Sequence, residues 1–125
     1  MISLRICALR STREGLTMFK VHVTKYAEED IATVLDYLLT QDAAPAAAGL
    51  WQRFEEAFAS LKQYPARGHV PPELLEYPDK RIRELHVGVY RLIYRYFEQD
   101  VYILFVADGR RNIQDSLLER ALRFG

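Results

Sequence analysis

The eight residues Val89-Tyr90-Arg91-Leu92-Ile93-Tyr94-Arg95-Tyr96 carry two arginines four positions apart in a segment otherwise aromatic and branched. Successive side chains of a strand point to opposite faces, so Arg91, Ile93 and Arg95 share one face and Tyr90, Leu92, Tyr94 and Tyr96 the other. A second apolar run, Val101 to Ala107, follows the short link Glu98-Gln99-Asp100, and a candidate strand at 82–87 precedes it through Val87-Gly88-Val89. Such connections are long enough only for antiparallel hairpins, which predicts a three-stranded meander. Charge repeated on one face of its central strand implies a face open to solvent or to a partner. Local cross-strand pairing of Arg91 and Arg95 with Glu84 or Glu98 is the alternative.

Upstream of the meander the pattern changes period. Phe19, Val21 and Val23 alternate with Lys20 and His22, as in a half-buried strand. Thr24 is placed to cap a helix with Glu28, Glu29 and Asp30 near its start, and Ile31, Val34, Leu35, Leu38 and Leu39 form its apolar stripe. Asp42 is the expected N-cap of a second helix, with Pro45 in its first turn, a stripe of Ala47, Leu50, Phe54, Phe58 and Leu61, and a stop at Tyr64-Pro65. Residues 65–80 contain Gly68, Pro71-Pro72 and Pro78 and are expected to be a long loop without an element of its own. Ile113, Leu117, Leu118 and Leu122 predict a closing amphipathic helix within 112–124. The order strand, helical hairpin, meander, helix implies an α+β domain, with the helices packed on one face of an antiparallel sheet.

A chain of 125 residues suits one domain. The expected boundary is at Met18: residues 1–17 read as a non-core N-terminal extension and 18–125 as the folding domain. The single cysteine, Cys7, cannot form an internal disulfide, which points to the cytoplasm, and no apolar run reaches the roughly 20 residues of a membrane helix. The net charge is zero but uneven: +4 over 1–27, −7 over 28–79 and +3 over 80–125. A basic working surface near the C-terminus and an acidic helical back are the expectation.

The three histidines, His22, His69 and His86, are far apart in sequence, so no metal site is expected and no cofactor is called for. There is no phosphate-binding glycine loop and no nucleophile elbow, which argues against a nucleotide enzyme or a serine hydrolase. What remains is arginine. Arg110 and Arg111 sit in a basic turn before the last helix and, with Arg91, would make a pocket for a phosphate or a carboxylate.

From Met18 to Arg123 the chain resembles the RelE/ParE toxins of bacterial toxin–antitoxin operons. The resemblance is carried by Pro65-Ala66-Arg67-Gly68, by Arg83-Glu84-Leu85 with Tyr90-Arg91-Leu92-Ile93-Tyr94, and by Asp108-Gly109-Arg110-Arg111 with Leu117-Leu118-Glu119-Arg120. It implies a toxin held inactive by a cognate antitoxin, with oligomers formed through that antitoxin and no membrane partner. The expected partner-binding residues are Arg83, Arg91, Arg95, Arg110, Arg111, Leu117 and Arg120. The family divides by target: some members cut messenger RNA on the ribosome, whereas the ParE branch inhibits DNA gyrase. The residues that do the cutting in the nucleases match Ile82, Glu84, Arg91, Arg111 and Leu117 here, so two arginines are kept while two lysines and a tyrosine are lost. Arginine stays protonated and is a poor base, which favours the ParE-like, non-nucleolytic branch acting on gyrase. A ribosome-dependent endoribonuclease using Arg91, Arg111 and Glu84 is the alternative, and a degenerate toxin kept as an antitoxin-binding scaffold a third. If Arg91 and Arg111 form a working surface, alanine at either is expected to abolish growth arrest without harming the fold.

Overall fold

The computed structural model describes residues 18–109. The proposed extension 1–17, the closing helix, Arg110, Arg111, Leu117 and Arg120 lie outside the described residues. Within them the order is β1 (Lys20–Val23), α1 (Lys25–Thr40), α2 (Ala44–Gln63), a 3-10 turn (Pro72–Leu74), β2 (Ile82–Val87), β3 (Tyr90–Phe97) and β4 (Asp100–Asp108). The helical hairpin and the antiparallel meander are present as the patterns predict. The strand order is β1-β4-β3-β2, and β1 joins β4 in parallel, Lys20 opposite Asp100 through Val23 opposite Ile103. The sheet is therefore mixed rather than wholly antiparallel. The α1–α2 hairpin returns the chain to the meander along the direction in which β1 left it, and a long crossover of this kind is what permits parallel pairing.

Thr24 caps α1 as expected, its Oγ1 accepting from Ala27 N at 3.4 Å. The same hydroxyl donates to the carbonyl of Ile103 at 2.6 Å, so the cap also fastens α1 to β4. Asp42 is not the cap of α2: it sits at φ 55° in the link, and Ala43, which has no side-chain oxygen to offer, takes the cap position. Pro45 in the first turn, whose missing N–H would have had no intrahelical partner, is then the clearest start signal for α2.

Two hydrophobic cores sandwich the sheet. On one side Ala27 and Ile31 of α1 and Leu50, Phe54, Phe58 and Leu61 of α2 pack on Leu85, Val87, Leu92, Tyr94, Val101, Ile103 and Val106. Leu39 belongs to no core and is half exposed, because the stripe of α1 runs through Ile31, Leu35 and Leu38 and leaves it to one side. On the other side Leu74 of the 3-10 turn covers Ile82, Ile93, Leu104 and Phe105, with Val70 and Tyr77 packed around it. The loop thus has a short element of its own, and it covers the sheet face opposite α1 and α2. A register shift between Ile93 and Tyr94 passes over Leu104, so Leu104 and Phe105 both face this second core. That extra residue is a β-bulge in β4.

Candidate functional site

Alternation on β3 is as predicted, with Arg91 and Arg95 on the face of the second core. That face is not open. Arg91 is 5% and Arg95 6% exposed, because the 65–80 loop lies over them and brings its own acids. Glu84 of β2 stands opposite Ile93, so Arg91, two residues along the same face, reaches it diagonally. The guanidinium donates from Nε to Glu84 Oε1 at 3.0 Å and from Nη2 to Oε2 at 2.8 Å. Its outer edge donates from Nη1 and Nη2 to Glu73 of the 3-10 turn, at 2.8 and 2.7 Å. The hydrogen bonds to Glu73, then those to Glu84, raise the Arg91 pKa further, against the opposing effect of burial. Here the local-pairing alternative holds for Arg91 and Glu84, and the expected open basic face is corrected.

Arg95 donates from Nε to Asp79 Oδ2 at 3.3 Å, and Arg81 holds the same carboxylate at 3.0 Å. Both guanidinium groups lie over the ring of Phe97, 4.8 Å for Arg81 and 5.5 Å for Arg95. Burial alone would raise the Asp79 carboxyl, but hydrogen bonds from Arg81 and the charges of Arg81 and Arg95 outweigh it and hold it below the ordinary carboxylate range. Arg83 points to the helix side and donates to the carbonyls of Lys80 at 3.2 Å and Gly68 at 3.1 Å. The uneven charge of the sequence is thus partly settled inside the fold, where acids of the 28–79 segment meet arginines of β3.

Sequence spacing also separated residues that the fold unites. His69 forms an isolated bridge with Glu84, His69 N donating to Glu84 O at 3.1 Å and Glu84 N to His69 O at 2.8 Å. His86 lies two residues beyond Glu84 on the same face, and the two imidazoles stack with centroids 5.6 Å apart. The expectation that no histidine has a second ligand nearby fails for this pair. His22 is elsewhere, bonded to Asp100 at 2.8 Å. Glu73, Asp79, His69 and His86 were not singled out from the sequence as site residues. The one signal there was acidic and imidazole side chains placed within a proline-rich stretch just before a strand containing arginine and glutamate.

The loop is fixed at its start by Gly68, whose N–H donates to the buried Tyr94 hydroxyl at 3.0 Å. A Cβ at this position would fall 2.5 Å from the Glu84 carbonyl oxygen and 2.7 Å from the Tyr94 hydroxyl, so only glycine allows the loop this close. On the helix side, a groove of about 350 Å³ opens between α1 and α2, lined by Val23, Ile31, Leu35, Trp51 and Phe58 among others.

The family model for the ParE toxin of type II toxin–antitoxin system, parDE, matches residues 21–113. The chain belongs to the ParE toxin family. Among solved structures, the chromosomal ParDE toxin–antitoxin system from P. aeruginosa matches with a TM-score of 0.58 and 18% identity, over 73% of this chain and 96% of that one. At that identity the likeness speaks for the fold. The RelBE2 toxin–antitoxin complex from Mycobacterium tuberculosis matches at 24% identity and a TM-score of 0.49, over 74% of this chain and 92% of that one. No curated protein sequence matches significantly. For a ParE-family chain, the buried Arg91 network has a direct chemical meaning. A guanidinium already shared by two carboxylates has little charge left to offer a phosphate, and both oxygens of Glu84 are already engaged by that guanidinium.

Proposed function

We propose that this ParE-family chain is a growth-inhibiting toxin that acts by binding DNA gyrase without cutting nucleic acid, and that a cognate antitoxin neutralises it. The observation that carries this reading is the mutual engagement of Arg91 and Glu84. These are two of the three residues a ribosome-dependent nuclease would use here, and they face each other beneath a loop. On this reading the partner-facing positions are Arg83 and, in the segment after β4, Arg110, Arg111, Leu117 and Arg120, with Arg91 and Arg95 supporting the surface from within. The toxin works in the cytoplasm, its domain spans 18–125, and residues 1–17 are dispensable.

One observation favours the endoribonuclease reading: His69 and His86 stand beside Glu84 and Arg91, and imidazole is the commonest general acid or base. Two assays on the purified full chain separate the readings. Inhibition of gyrase supercoiling, reversed by the antitoxin and without cleavage of messenger RNA on translating ribosomes, is the result expected. Cleavage on ribosomes with gyrase unaffected would replace the first reading by the second, and inactivity in both with tight antitoxin binding would leave a scaffold.

A further inference from the structure

We propose that His69, Glu84 and His86 form a binding site for one divalent zinc-type cation, which nothing in the toxin reading requires. Their ligand atoms all lie within 4.8 Å of one another. His69 Nε2 is 3.6 Å from Glu84 Oε2, and His86 Nε2 is 3.7 Å from Glu84 Oε1. Those separations exceed a hydrogen bond. They are close to what a metal requires, since tetrahedral ligands at about 2.0–2.1 Å from zinc stand roughly 3.3 Å from one another. Binding an ion would draw the three donors, now within 4.8 Å of one another, towards one centre, and the two exposed imidazoles are the groups that would turn.

Charge and access agree with this geometry. Glu84 is 1% exposed on its side chain, whereas His69 and His86 are 57% and 59% exposed, so the carboxylate ligand is fixed and the imidazoles face the solvent from which an ion arrives. Glu84 supplies an anionic ligand beside the two imidazoles, and Arg91 holds that carboxylate in place. A carboxylate has about four lone-pair positions, and the two hydrogen bonds from Arg91 leave others for a metal. Arg91 would then act as the outer partner that orients a ligating carboxylate. Two imidazoles and one carboxylate suit zinc over magnesium or calcium, which favour oxygen donors. Three protein ligands leave the fourth position to water. Because His69 opens the loop and Glu84 and His86 belong to the edge strand β2, the ion would clip the loop to the sheet.

The test uses the full chain stripped with chelator and titrated with zinc chloride in a non-coordinating buffer, followed by calorimetry and thermal melting. The expected result is one equivalent bound with a rise in Tm, and no binding of magnesium at the same concentration. His69→Ala and His86→Ala alter exposed side chains and should melt as the metal-free parent does, while each weakens zinc by at least about tenfold, as loss of a ligand should exceed the loss of an outer-shell partner. His22→Ala and Cys7→Ala should bind zinc like the parent. The proposal is overturned by absence of saturable binding, by unchanged affinity in both the His69 and His86 variants, or by loss of the equivalent in the His22 or Cys7 variant. None of these readouts depends on gyrase, ribosomes or growth, so failure here leaves the toxin reading standing, and the reverse also holds.

Discussion

The Arg91 guanidinium donates two parallel hydrogen bonds to the Glu73 carboxylate, at 2.8 and 2.7 Å, and thereby ties the start of β3 to the 3-10 turn of the covering loop. With Glu84 on its other edge, Arg91 is the cation of a buried triad. Removing Arg91 takes from both carboxylates the cation they share. Arg91→Ala should therefore cost about 3–5 kcal/mol, measured as a fall in the urea midpoint, because two carboxylates would remain close together and desolvated. This revises the expectation that alanine at Arg91 would silence the toxin and spare its fold. Replacing Arg91, Glu73 and Glu84 together by methionine should be milder than Arg91→Ala, since the triad then keeps no pair of desolvated carboxylates without its guanidinium. A triple variant less stable than Arg91→Ala would contradict this account of the triad.

Gly68 holds the other end of the same loop. Gly68→Ala puts a methyl group against the Glu84 carbonyl oxygen, which is backbone and cannot swing aside. The His69–Glu84 bridge should then open, at a cost of about 1–3 kcal/mol, with a lowered denaturant midpoint. An alanine variant as stable as the parent would show that the loop can retreat, and the close approach would not be required.

What the sequence disclosed, and what it hid, divides along a physical line. Alternation at Phe19 to Val23 and in the meander, and the stripe from Ala47 to Leu61, report burial against neighbours and were legible, because burial imposes a period. Arg91 and Arg95 were placed on the correct face, but what covers that face depends on a loop with no period at all. Its proline-rich run offers no pattern from which the meeting of Glu73 with Arg91, or of His69 with His86, follows. Asp42 misled for a related reason: aspartate suits both a helix cap and a left-handed turn, and the chain uses the second. The parallel pairing of β1 was equally hidden, since alternation fixes faces and not directions.

Tyr94 gives a test in the alkaline range. Its hydroxyl is buried, and burial pushes its pKa from 10.0 up to about 12 against the N–H of Gly68 and the charges of Arg83 and Arg67. The folded chain then holds the phenolic proton more tightly than the unfolded chain does. The associated stabilisation is complete below about pH 10 and is lost as pH rises towards 12, on the order of 2–3 kcal/mol in all. In Tyr94→Phe this part of the pH dependence should vanish, although the variant begins less stable because the Gly68 N–H loses its acceptor. Parallel stability curves for parent and variant between pH 9 and 12 would rule the assignment out.

The two hairpins of the meander have the same backbone demand and meet it differently. Gly88 opens the turn between β2 and β3 with φ 62°, where glycine is at ease, and Glu98 opens the turn between β3 and β4 with φ 56°, where a side chain costs roughly 1 kcal/mol. Glu98 is exposed, so its replacement disturbs no packing. Glu98→Gly should relieve that strain and, after the larger conformational freedom of glycine in the unfolded chain is subtracted, leave the protein level with the parent or up to about 0.5 kcal/mol more stable. Gly88→Ala is the converse: a Cβ there would meet nothing nearer than Arg53 Nη1 at 3.5 Å, so its cost is that of the backbone alone, about 1 kcal/mol. If the two substitutions move the denaturant midpoint in the same direction, the left-handed geometry of these turns is not what their first residues are selected to satisfy.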